Sequence, residues 1–491
     1  MGSTRILLWA TLLATTSLLA VVGHASARDR APQAWLTTGD RAHLLEPQPR
    51  SAFGPADASL PTITVDPSKR YQRIAGYGAS ITDSSAALLA PSPHRDRIMR
   101  SLFDPRRGLG LSFLRQPIGS SDFVDEPHYT YDDLPPGATD YDMSEFSIAH
   151  DRAQILPLLR QARRLNRRLK VMGTPWSPPA WMKQNQSLVG GRIIDEPRIY
   201  RALAKYFVKF VSAYRRAGVP IHSLTPQNEP QNRFPFEYPG MDLRPNEEAK
   251  LVIEMGRALR RAGYDTKILG YDHNWSLHPN DVGLPGADPE YARTLLSDPL
   301  AYRYLDGIAY HCYSGDPVRQ SELHADFPRK DIYFTECSGV ESGDPTATFA
   351  DTLHWHTLML TVWSVRHWSK SVITWNLALD PDHGPHNGGC DTCTGVVTID
   401  PATGQATPEA DYYVLGHASK FVKPGAVRID STVSGSIQDV ALRNPDGSIV
   451  VIAVNDDWSH SGSQRFTLKM GRKAFSYDLP AGGVVTFRLQ G

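Results

Sequence analysis

Cysteine, surplus charge and long apolar runs are all scarce in this chain of 491 residues. Four cysteines (Cys312, Cys337, Cys390 and Cys393) are too few for a disulfide scaffold, so a packed core must carry the stability. Lys plus Arg and Asp plus Glu each total 52. That balance leaves no surplus to hold a polyphosphate backbone, which excludes nucleic acid as a partner. Beyond residue 22 no run is long and apolar enough to cross a bilayer, so no membrane span is expected in the mature chain. There is no Walker A loop, no His-Glu-x-x-His pair and no Gly-x-Ser-x-Gly elbow. Gly76-Tyr77-Gly78 lacks the third glycine and the acidic partner of a dinucleotide site. No cofactor and no metal are expected.

What is present is the composition of a globular protein with a large core, 41% hydrophobic and 21% charged. Arg5, an uncharged stretch over 6–22 and Ala25-Ser26-Ala27 fit a secretory signal over 1–27, cut after a small-x-small motif. A secreted, extracellular protein follows, in oxidising surroundings. There, Cys390-Asp391-Thr392-Cys393 behind a Gly-rich turn reads as a loop stapled by a Cys390–Cys393 disulfide. The competing reading is a zinc site completed by His383 and His386.

From about residue 75 to 420, short β-rich runs alternate with helical periods. The runs fall at 77–81, 111–118, 169–174, 221–227, 266–271, 307–313, 331–335 and 371–376. Between them, Pro197 opens a helix whose apolar residues Ile199, Leu203, Phe207, Phe210, Val211 and Tyr214 repeat at the helical period until Gly218. The helix over 151–165 ends in Arg160, Arg163, Arg164, Arg167 and Arg168, a solvated basic face. Eight strand–helix alternations make an α/β protein with a (β/α)8 TIM barrel. After about 427 the pattern turns to strands and turns alone, an all-β sandwich domain to which 62–65 adds a strand, so both chain ends build it. The expected division is a signal peptide (1–27), a leader with one sandwich strand (28–73), the barrel (74–420) and the C-terminal sandwich (421–491).

Such barrels carry their chemistry at the C-terminal ends of the strands. Strand four leads into Gln227-Asn228-Glu229-Pro230 and strand seven into Phe334-Thr335-Glu336-Cys337. Each glutamate closes an apolar run that has no packing reason to end in a charge. Two carboxylates facing each other across a barrel mouth suit glycoside hydrolysis, one giving a proton to the leaving oxygen and the other attacking the anomeric carbon. Trp176 and Trp181 after strand three, His311 and Tyr313 after strand six, and Trp375-Asn376 after strand eight add aromatic faces and polar groups for a sugar. The partner is a carbohydrate.

These stretches resemble glycoside hydrolase family 30, which holds glucosylceramidases and microbial β-1,6-glucanases. The resemblance rests on Gly76-Tyr77-Gly78-Ala79-Ser80-Ile81-Thr82-Asp83, Leu114-Arg115-Gln116-Pro117, Thr174-Pro175-Trp176-Ser177-Pro178-Pro179, Gln227-Asn228-Glu229-Pro230, Phe334-Thr335-Glu336 and Ile373-Thr374-Trp375-Asn376. It implies a retaining mechanism on β-glucosides, with Glu229 as acid/base and Glu336 as nucleophile. Asp83, Trp176, Asn228 and Trp375 would hold the non-reducing glucose. Arg115, His311 and Tyr313 would support the nucleophile, and Tyr238 would line the leaving-group side. A glucosylceramidase-like hydrolase is the first expectation and an endo-β-1,6-glucanase the alternative; a carbohydrate-binding protein without turnover is the remote one. The loop from His386 to Val397 departs from the animal glucosylceramidases toward the glucan-cleaving branch, which leaves lipid, oligosaccharide and glucan open as aglycone.

Overall fold

Eight parallel strands pair in one sheet in the order seven, six, five, four, three, two, one, eight. They are Gly76–Ser80, Phe113–Pro117, Lys170–Thr174, Ser223–Leu224, Lys267–Asn274, Gly307–His311, Asp331–Glu336 and Ser371–Asn376. Strands seven and eight close the ring. Lys370 N–H donates to Ile332 O at 2.9 Å and Trp375 N–H to Cys337 O at 2.7 Å. Between them the Ser371 hydroxyl donates to Phe334 O (2.9 Å) and accepts from Phe334 N–H (3.2 Å), standing in for ladder bonds. This computed structural model describes residues 1–2, 31–233, 237–457 and 462–490. The expected signal segment and its cleavage site lie outside the described residues.

Strand periodicity stacks two layers inside the barrel. Phe113, Met172, Leu269, Ala309, Tyr333 and Ile373 form an apolar floor with Ala75. Two residues further along, the same faces present Arg115, Thr174, His311, Thr335 and Trp375, all buried. Strand five breaks this alternation. Tyr271 and Asp272 have φ of 71° and 53°, and the pairing register shifts between Tyr271 and His273. The bulge turns Asp272 inward and Tyr271 outward onto Tyr291 and Tyr310. An outer ring of helices covers the sheet. Pro197–Arg216 starts on its proline, buries the predicted stripe, and is followed by Gly218 at φ 85°. Among the described residues no helix is long and apolar enough to cross a membrane.

The sandwich draws on both chain ends, and more from the N-terminal side than one strand. Gln33–Thr37 pairs antiparallel with Val484–Leu489, and Glu46–Pro47 pairs with Gln33–Thr37. Thr62–Arg73 runs between Val427–Ser431 and Gln464–Met470. The stretch read as a weakly patterned leader therefore builds a sheet edge, because Ala34 and Leu36 face the sandwich core while Gln33 and Trp35 face away. At the junction with the barrel, His417 of helix Ala410–Ser419 spans Thr37 Oγ1 (2.8 Å) and Thr486 Oγ1 (2.9 Å).

Candidate active site

The polar layer of the barrel is organised by Asp272. Its fully buried carboxylate accepts from Arg115 Nη2 (2.9 Å), Thr335 Oγ1 (2.6 Å), Thr225 Oγ1 (2.8 Å) and Thr174 Oγ1 (3.2 Å), and meets His311 Nε2 at 3.1 Å. Burial alone would favour the neutral acid, but the charges of Arg115 and His311 hold it well below the usual carboxylate range. Arg115, also fully buried, uses its other donors on Asn228 Oδ1 (2.7 Å) and on Glu336 Oε2. One fixed anion thus aims one fixed cation at Glu336.

Above this layer opens a cavity of about 510 Å³ that contains both predicted glutamates. Two roomier cavities, of about 590 and 690 Å³, lie among outer helices and at the basic end of helix Ile155–Leu165, and neither holds a facing carboxylate pair. Glu229 sits in a left-handed turn (φ 45°) with its N–H on Asp272 O at 3.0 Å. Its Oε1 meets His311 Nδ1 at 3.0 Å and its Oε2 accepts from Asn232 Nδ2 at 3.0 Å. Glu336 Oε1 accepts from the Tyr313 hydroxyl at 3.0 Å and lies 3.8 Å from the same His311 Nδ1. One nitrogen therefore reaches both carboxylates, and the two Oε1 atoms cannot be farther apart than those legs laid end to end.

Trp176 and Trp375 stack at 4.9 Å and 23°, with the Arg115 guanidinium over both rings. With Asn228 and Tyr238 they line the cavity. The Cys390–Cys393 disulfide forms part of its wall, and a second disulfide joins Cys312 to Cys337 at the ends of strands six and seven.

Two expected placements differ. Asp83 does not line the cavity: its Oδ1 accepts from Tyr129 Oη (3.0 Å) and meets His150 Nε2 (2.8 Å). Asp122 lines it instead, two residues beyond the turn at Gly119-Ser120, and its buried Oδ1 has no hydrogen-bond partner among the described residues. Burial, with the charges of Glu336 and Glu229 added, pushes Asp122 up to about 8. His311 hydrogen-bonds to Glu229 and acts on Glu336, the nucleophile it was expected to support, through its charge at 3.8 Å. Trp181 also leaves the rim, its Nε1 donating to Asp132 at 3.0 Å.

A retaining pair needs an acid that holds its proton beside an ionised nucleophile, and the electrostatics of Glu229 and Glu336 run against that division. Burial pushes Glu229 up, but His273 and His311 outweigh it and hold the carboxyl well below its ordinary range. Burial pushes Glu336 up, with the charges of Glu229 and Asp272 working against the pull of His311 and Arg115. Burial opposes charge on His311 too, yet Glu336 and Asp272 push it up to about 9. These charges favour a proton on His311, one hydrogen bond from Glu229. Asp272, Asp122, Asn232, His273 and Glu237 complete the site and were not singled out from the sequence.

The family profile of the glycosyl hydrolase family 30 TIM-barrel domain matches residues 74–422, and that of the family's β-sandwich domain matches 425–487. The chain belongs to glycosyl hydrolase family 30. It is a glycoside hydrolase. Among similar proteins, an endo-1,6-β-D-glucanase of Neurospora crassa is 34% identical over 446 residues, covering 86% of this chain and 88% of the relative. The lysosomal acid glucosylceramidase of Mus musculus is 29% identical over 416 residues, covering 80% and 77%. Among solved structures, the endo-β1,6-glucanase BT3312 is 30% identical with a TM-score of 0.83, covering 94% of this chain and all of that one.

Proposed function

We propose that the protein is a secreted endo-β-1,6-glucanase that cleaves with retention of configuration. The observation that carries the chemistry is the placing of Glu229 and Glu336 within reach of one imidazole nitrogen, above stacked tryptophans. The glucan is favoured over a glucosyl lipid, the first expectation, by the likeness to endo-1,6-β-glucanases over most of the chain. A carboxylate on the cavity wall, Glu237, suits a hydroxylated aglycone better than an acyl chain.

In the first step Glu336 attacks the anomeric carbon and the bond to the leaving oxygen breaks, while a proton passes from the Glu229 side to that oxygen. His311 supplies it along the 3.0 Å contact to Glu229 Oε1. Arg115 and Tyr313 stay on Glu336 and orient the attacking oxygen. In the second step Glu229 takes a proton from water, which attacks the glucosyl ester and frees Glu336. Trp176 and Trp375 give apolar faces to the C–H groups of the sugar, and protonated Asp122 offers its unpartnered oxygen to a hydroxyl. Release of short β-1,6-linked oligosaccharides from β-1,6-glucan tests the reading. Glucose release from glucosylceramide with no cleavage of the glucan would replace it.

A further inference from the structure

Glu229, His273 and His311 bring one oxygen and two nitrogens within 4.8 Å of one another. Two of the legs are 3.0 Å (Glu229 Oε1 to His311 Nδ1) and 3.6 Å (Glu229 Oε1 to His273 Nδ1). Donors about 2.0–2.1 Å from a tetrahedral zinc ion stand roughly 3.3 Å apart, so these two legs need shifts of only a few tenths of an ångström. The second nitrogen of His311 is held by Asp272 at 3.1 Å, the carboxylate–imidazole contact that orients a ligating ring and leaves its other lone pair to the metal. His273 is buried, and neither of its nitrogens has a hydrogen-bond partner among the described residues. A coordinated ion would satisfy one of them. Asn232 occupies Glu229 Oε2, which leaves Oε1 facing the two rings.

We propose that Glu229, His273 and His311 form an inhibitory site for a divalent late transition metal of the zinc class. Two imidazole nitrogens and one carboxylate oxygen bind the ion, and the fourth position stays open toward the cavity. The ion takes the Glu229 oxygen that exchanges a proton with His311, so proton transfer to the leaving oxygen stops. Trp176 and Trp375, which face the sugar, are untouched, and the metal lowers kcat more than it raises KM. The inference holds whichever β-glucoside is cleaved. It does not run through a thiol, since all four cysteines are in disulfides.

The test titrates EDTA-stripped, dialysed enzyme with CoCl2 and ZnCl2. One equivalent of Co2+ should give the visible d–d bands of a low-coordinate imidazole–carboxylate site, and Zn2+ should abolish them. Hydrolysis should be lost in parallel and return with EDTA. His273→Gln should weaken both effects by about tenfold or more, each read against that variant's own metal-free rate. Absence of the bands, metal binding without loss of rate, or equal Zn2+ inhibition of His273→Gln would overturn the proposal. Should His273→Gln not fold, zinc K-edge absorption on the native enzyme decides. A shell of two imidazoles and a carboxylate oxygen near 2.0 Å supports the site, and a shell without imidazole removes it.

Discussion

Replacing Asp272 by Asn keeps the shape of the central carboxylate and removes its charge. Five donors converge on that group, and Arg115 beneath the nucleophile is fully buried with it. The amide has one acceptor oxygen, and its NH2 group must face Arg115, His311 or a threonine hydroxyl that was donating. Breaking a buried pair while leaving its cation in place costs about 3–5 kcal/mol, and a loss of that size should appear in chemical denaturation. A second effect separates the charge from the packing. Asp272 is among the groups that push His311 up to about 9, so without it the imidazole falls back toward its ordinary 6.5. The alkaline limb of kcat/KM, which follows loss of the shared proton, should then move down by one pH unit or more. At pH 8 a shift of one unit costs roughly a further twofold relative to pH 6, and a shift of two units roughly tenfold. A stability loss under about 1 kcal/mol, with the limb unmoved, would refute the role given to Asp272.

Glu336→Gln should abolish turnover on every substrate, whereas Glu229→Gln should retain activity on aryl glucosides with acidic phenols and yield β-glucosyl azide when azide is added; equal losses in both would contradict the division of labour. Joint replacement of Cys312 and Cys337 by Ser frees a covalent tie flanked by His311, Tyr313 and Glu336, so kcat should fall by about tenfold to a hundredfold with little change in KM. A lower Tm with kcat intact would reduce that bond to a staple. Burial holds His417 down at about 3 instead of 6.5, so the unfolded chain binds the extra proton between those values. Stability should therefore fall, by an order of 4 kcal/mol, as pH drops from 6.5 to 3. His417→Gln should flatten that slope, and an unchanged slope would show that other groups govern acid unfolding.

The barrel was legible because each of its strands is a short β-rich run followed by a helical period. Glu229 and Glu336 stood out because each ends such a run with a charge. Asp272 was hidden by the bulge: strict alternation from Leu269 points Tyr271 inward, and only the positive φ of residues 271 and 272 exchanges the two. Asp83 was named by the resemblance alone; the chain there turns into helix Asp83–Leu89, and the carboxylate's Oδ1 meets Tyr129 and His150. Asp122 gave little signal, standing past a glycine turn among serines. Strand Gln33–Thr37 escaped notice because five residues alternate too briefly to be distinctive and gain a partner only from 484–489. The low position of Glu229 depends on His273 and His311, residues distant in sequence that only the folded barrel brings beside it.

Double displacement on Glu336 passes through a covalent glucosyl ester and leaves the new reducing end of a β-1,6-glucan in the β configuration. Proton NMR of the first sugar released from that polymer, recorded before mutarotation, reads this configuration. The proposed double displacement predicts a β-anomeric reducing end appearing first, with the α form growing in afterwards. An α-anomer as the initial product would mean direct attack by water, with no ester formed on Glu336.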